Sequence, residues 1–336
     1  MELSRMLKFR NLWIGFAMLW IVFFHAGFWV ESAVILTFKN IGYGGVDICL
    51  FASGIGCYFS LEKDPEVLGF LKRRIRRLGP AYFCFILPWL FWKRLRSGLP
   101  AGAILGNLLG IQSLVSWEYH FNWYIGGLVV YYLAMPYLKG ITDSCGRLRQ
   151  DVLAGLLLTA VGIPFWGTGT AVVILSRLPV LYAGLVCGKF AKRGYVLKKT
   201  DYWTAGVLAA AGTAGLLYAL EAFPELLWNW GLYWYPFAMM VPGGCVFLSL
   251  LAEKLETVRS LRWINGFLNL VGMYSFELYL VHVFLYEGLM PDILARIPYV
   301  PNNLAWLATL PAVACGTYLL NRMAGLVSGS LRNKKA

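Results

Sequence analysis

Charge is scarce in this chain. Asp, Glu, Lys and Arg make up only 14% of its 336 residues, where a soluble protein carries about a quarter. That shortage excludes an ordinary soluble enzyme and points to a polytopic membrane protein. Acidic residues number 17 against 30 basic ones, and there are only three histidines. The seven cysteines show no CxxC spacing and fall mostly in apolar runs, so neither a disulfide framework nor a metal site is expected. No run alternates like a barrel wall, and no repeat or low-complexity tract is visible.

What the chain has instead is hydrophobicity: 59% of its residues are apolar or aromatic. Uncharged stretches long enough to cross a bilayer recur from end to end. They predict an all-α fold, a bundle of about ten transmembrane helices near 11–31, 43–61, 78–92, 121–138, 152–167, 170–188, 203–220, 231–251, 264–287 and 303–322. The whole of 1–336 is expected to be one integral membrane domain with no appended soluble domain. The net charge of +13 is explained by topology rather than by nucleic acid. Basic residues gather in alternate loops, such as Lys63 with 72–77 and Lys189 with 192–199. By the positive-inside rule both termini are cytoplasmic. Ser97–Trp117 is uncharged but rich in Gly and Pro, and as a span it would turn every later basic loop outward. It is expected to be re-entrant or to lie along the surface.

Ionisable groups at membrane depth cost roughly 2.5–3.5 kcal/mol each on insertion scales, so each needs a partner or a purpose. His25, Asp47, Arg177 and His282 fall on four predicted spans, all roughly 6–11 Å beneath the outer end at 1.5 Å per residue. They read as one polar chamber in the outer half of the bundle. Taken singly, each has a plainer role: a histidine donor across a helix pair, or an Asp47–Arg177 ion pair fixing register. The run KRRIRRLGPAYF, residues 72–83, places cations before a helix whose first turn carries Pro80. It reads as a phosphate site on the inner face or as a topology and lipid-headgroup signal. His120, beside Glu118, Tyr119 and Trp123, fits an interfacial aromatic belt.

Read together, these stretches resemble the acyltransferase 3 family of integral membrane acyltransferases. The resemblance runs through most of the chain: LWIVFFHAG with its late histidine; Gly44, Gly45, Val46, Asp47, Ser53 and Gly54; Arg74 and Arg77 before Pro80; then NWYIGGLVVYYLAMPYL, SRLPVLYAGLVCGK and SFELYLVH. It departs at one place. The family usually has a basic residue eleven positions before the histidine, where this chain has Ile14. The nearest upstream arginine, Arg10, is more than a helical turn further away.

The resemblance implies a multi-pass protein of the cell membrane that moves an acyl group, commonly acetyl, from cytoplasmic acyl-coenzyme A (acyl-CoA). The acceptor is a hydroxyl on an extracytoplasmic glycan, such as an envelope polysaccharide, and the product is an O-acetylated one. On that reading Arg74 and Arg77 hold the nucleotide phosphates, with Arg73 and Arg76 matching the same spacing. A neutral imidazole suits proton removal from a hydroxyl, so His25 is the expected general base, with Asp47 holding its tautomer. An acyl-imidazole route is the alternative. Arg177 or His282 is the candidate oxyanion or acceptor group, and Ser53, Ser275 and Tyr279 are supporting residues. No metal is expected. The rival class is a secondary transporter, whose usual internal duplication is not visible here. A catalytically inactive family member is the third reading.

Overall fold

The computed structural model describes residues 1–116, 123–224, 231–296 and 302–333. Among these the fold is helical, apart from an isolated antiparallel bridge between Glu2 and Val196. The principal helices are α1 (Arg10–His25), α2 (Gly45–Lys63), α3 (Val67–Ser97), α4 (Trp123–Ser144), α5 (Leu148–Ala160) and α6 (Leu178–Lys192). They continue as α7 (Lys199–Ala222), α8 (Tyr235–Thr257), α9 (Arg262–Met273), α10 (Ser275–Val283) and α11 (Asn302–Asn333). Seven helices are long and apolar enough to cross a membrane, or eight if the pair built on α9 and α10, bent by 71°, forms one span. The expected span at 78–92 lies within α3 and residues 123–138 of the next lie within α4; both helices are long but interrupted by charge or by several tyrosines.

Two expectations are corrected. The basic run 72–77 does not precede a helix. It lies inside α3, which runs unbroken past Pro80 and Pro88, so no free helix N-terminus is present there to hold phosphate. Segment 264–287 is not one straight helix, because Tyr274 leaves helical geometry and divides it. Within 97–117 there are two short helices, Ala101–Leu108 and Gln112–Val115, separated by Gly110 at φ +71°. Neither is long enough to cross.

Two glycine crossings set the position of everything else. Gly15 of α1 faces Gly272 of α9, and a methyl on either would overlap the backbone of the other helix, at Leu268 or Asn11. Gly54 of α2 and Gly184 of α6 meet in the same way, against Leu181 and Phe51. Only glycine lets backbones approach this closely. The contacts also give direction. Asp47 and Arg177 pair on the same two helices as Gly54 and Gly184, at the N-terminal end of each, so α2 and α6 run the same way. Parallel helices need an odd number of crossings between them, which α3, α4 and α5 supply when 97–117 does not cross.

The basic ends gather at one end of the bundle. Glu62 at the end of α2 binds Lys139 of α4 at 2.7 Å and also Lys192 of α6. Arg5 reaches Glu253 near the end of α8 at 2.8 Å. Within α6, Lys189 is buried in an ion pair with Asp151 and also donates to the carbonyl of Thr142 at 3.0 Å.

Gly184→Val should therefore destabilise the bundle by about 1–3 kcal/mol or more through overpacking. Gly244→Val, on α8 with open space beside it, should leave the thermal midpoint nearly unchanged. Thermal denaturation of both variants in one detergent tests the pair.

Candidate active site

Beyond the crossing of α1 with α9, α10 packs against the end of α1, and His25 and His282 meet. Their ring centroids lie 5.2 Å apart, and His282 Nε2 is 3.3 Å from His25 Nδ1. His282 Nδ1 lies 2.7 Å from the Leu278 carbonyl, and His25 Nδ1 lies 3.0 Å from that of Ile21. A carbonyl can only accept, so both Nδ1 atoms carry hydrogen. His282 Nε2 is then an acceptor for the shared His25 Nδ1–H, and His25 Nε2 is left with its lone pair. That atom faces Glu287 Oε1 at 3.2 Å.

Asp47 does not hold the His25 ring, as the sequence had suggested. Both Asp47 and Arg177 are buried, and they pair at 3.3 Å through Nε. The ring is held instead by His282 and the Ile21 carbonyl. Arg177 caps the start of α6, just ahead of Pro179, and donates from Nη1 to Val173 at 3.0 Å. Its guanidinium lies between the rings of Trp123 and Trp234, 5.0 and 5.1 Å from their centroids. Trp123 is thus a buried wall of the site rather than part of an interfacial belt. His120, with Glu118 and Tyr119, lies outside the described residues.

One member of each pair, His25 and Arg177, faces a cavity of about 420 Å³, whose lining also includes Tyr43, Trp234, Tyr279 and Glu287. A second, smaller cavity of about 90 Å³ lies towards the basic end. Ile21, Val46 and Tyr279 line both. The smaller one is lined by Arg10, Arg74 and Arg77, by Ser53 and Ser275, and by no carboxylate among the described residues. Arg74 lies over the rings of Phe70 and Tyr132, at 4.9 and 5.8 Å.

The RxxR register is settled by the helix. Arg74 and Arg77, three apart and hence on one face, line the cavity. Arg73 instead pairs with Asp64 and donates to the Ser60 carbonyl at 3.3 Å, while Arg76 is exposed and does not line the cavity.

Two further site residues escaped the sequence reading. Glu287 sits on a π-helical turn, Phe284–Leu289, that continues α10. Such turns are frequent at functional sites, but the sequence gives no sign of one, and the carboxylate there reads as the end of a span. Arg10 reaches the same cavity as Ile14. Both line the smaller cavity, and Arg10 Nη1 reaches the space left by Gly56, 2.5 Å from where a Cβ would stand. The helical rise from Arg10 to position 14 is covered by the length of the side chain.

The sequence profile of the acyltransferase domain family matches residues 11–322. Comparisons with curated proteins and with solved structures gave no match. With nearly its whole length matched, the chain belongs to this acyltransferase family.

Removing one partner of a buried ion pair is costly because the other charge stays unpaired. Asp47→Asn should lower stability by roughly 3–5 kcal/mol, and Asp47→Asn with Arg177→Met should recover much of that loss. The thermal midpoints of the single and double variants measure it.

Proposed function

From a chain of this membrane acyltransferase family, we propose an O-acyltransferase that moves an acetyl group from acyl-CoA to a glycan hydroxyl. The observation that carries this reading is the pair of cavities with shared walls, one lined by three arginines and the other by His25, Arg177 and Glu287.

The donor enters from the basic end. Forked guanidinium groups suit phosphate oxygens, and Arg10, Arg74 and Arg77 hold the nucleotide phosphates. The thioester arm passes Ile21, Val46 and Tyr279 to reach the larger chamber. Ser53 and Ser275 line its path and offer hydroxyls to the amide groups of the arm.

The acceptor hydroxyl enters between Nε2 of His25 and the carboxylate of Glu287, donating its hydrogen to the Nε2 lone pair. Nε2 takes the proton as the oxygen attacks the thioester carbonyl. Nδ1–H, held by Ile21 and His282, keeps the lone pair on the attacking side, and Glu287 steadies the imidazolium that forms. Arg177 Nη2, which no described hydrogen bond uses, donates to the oxygen of the tetrahedral intermediate. Asp47 and the two tryptophans keep the guanidinium in place. Collapse of the intermediate breaks the C–S bond, and the thiolate leaves with the proton from His25. The new ester oxygen stays on the acceptor.

His25→Ala should abolish transfer from radiolabelled acetyl-CoA, by at least about 100-fold, while membrane insertion persists. A fully active variant removes His25 from the reaction. Glu287→Gln should lower kcat more than either KM, because it acts on the charged intermediate rather than on binding.

Arg10→Gln combined with Arg74→Gln and Arg77→Gln should raise the KM for acyl-CoA by about tenfold or more and leave the acceptor KM unchanged. Unaltered donor affinity would reduce these arginines to a topology signal.

A further inference from the structure

The largest of the described cavities is not the one at His25. A crevice of about 490 Å³ shares no lining residue with either of the other two. It lies between α5 and α7, floored by α6 and backed by α8, with Val152, Gly155, Val186, Phe190, Ala205 and Val246 among its walls. Its flanking helices bury the least of any span, and both turn leucine and valine outward, at Leu153, Leu156, Val207 and Leu208. Lipid therefore lies on either side of the gap. An unfilled apolar gap forfeits dispersion contacts along its whole lining.

Polar groups occur only towards one end of this crevice, the basic end of the bundle. The floor there is built by the N-terminus, where Leu3 N donates to Tyr195 O and Leu197 N to Met1 O, at 3.0 and 3.1 Å. The Met1 amine donates to Tyr202 at 3.1 Å. The two carboxylates at this end are already engaged. Asp201 accepts from Tyr195 at 2.9 Å and from the Lys198 amide at 2.7 Å, and Asp151 accepts from Lys189 and from Tyr182. Four exposed cations flank the end on both walls: Arg147 and Arg149 beside Leu148, and Lys198 and Lys199 beside Leu197. None of the four forms an ion pair among the described residues.

We infer that this crevice seats one acyl chain of an anionic phospholipid from the leaflet on the basic side. The apolar walls take the chain, and the four cations take the headgroup. A soluble ligand would meet no polar group along the apolar length. A zwitterionic lipid would bring the cations no net charge, whereas basic clusters at a membrane surface attract anionic headgroups. The site is separate from acyl transfer and stands whether or not the proposed reaction is right.

The test is photolabelling of the full purified chain in detergent, using phosphatidylglycerol with a diazirine in its acyl chain. Labels should map to residues 148–155 and 197–205. The matching phosphatidylcholine probe should label these about fivefold less. Gly155→Phe should abolish labelling there, since a methyl at 155 would already lie 3.7 Å from Tyr182 and a larger group grows into the gap. Lys198→Gln with Lys199→Gln should remove the preference for phosphatidylglycerol while leaving the crevice itself intact. Labels spread evenly over the lipid-facing helices, or equal labelling by the two probes in the unaltered chain, would overturn the inference.

Discussion

Two places where helices touch backbone to backbone govern this protein. At Gly15–Gly272 and at Gly54–Gly184 there is no room for a methyl group. Their spacing from the polar residues matters as much as their closeness. Gly15 precedes His25 by the same number of positions as Gly272 precedes His282, and Asp47 stands as far from Gly54 as Arg177 does from Gly184. For Asp47 and Arg177 the equal offsets from a shared crossing give one level on parallel helices; His282 lies past the break at Tyr274, and the 71° bend there turns it towards His25. Without those crossings four ionisable groups would each lie alone at membrane depth, at a cost the bundle could not easily offset.

Once brought together, the two pairs have different characters. Asp47 and Arg177 are closed in by two tryptophans and by backbone. Their mutual attraction is strengthened by burial, and the desolvation cost is offset only by that close geometry. The histidines are more open. Carbonyl acceptors fix their tautomers, and the one lone pair that remains points to the cavity and to Glu287. A rigid charge thus stands opposite a proton acceptor free to react, across a chamber walled by aromatic rings.

Much of this was legible in the sequence, for reasons that can be traced. Long uncharged runs can only be helices in lipid, because every backbone group must find a partner within its own segment. Rare ionisable residues inside such runs stand out against that background, so His25, Asp47, Arg177 and His282 could be identified and assigned a common depth. Depth, however, is a single coordinate. It does not say which residue faces which, and Asp47 was accordingly assigned to the wrong partner. Helical phase was also readable in principle: the spacing that joins Arg74 to Arg77 equally joins Arg73 to Arg76, and only the packing of α3 chooses between them.

Local rules misled where tertiary contacts overrode them. Pro80 suits a first helical turn, yet α3 continues through it. Glu287 reads as the end of a span, yet a π-turn brings its carboxylate back to His25. Arg10 stands too low on α1 by residue count, yet the missing side chain of Gly56 leaves a channel for its guanidinium. By itself the sequence determined the helical class, the membrane setting and the identity of the polar groups, since these follow from composition and from the energetics of burying charge in lipid. Pairing, the shared walls of the cavities and the reach of long side chains were decided by the tertiary structure alone, because they depend on how closely two backbones approach, and that distance is set by residues far apart in the chain.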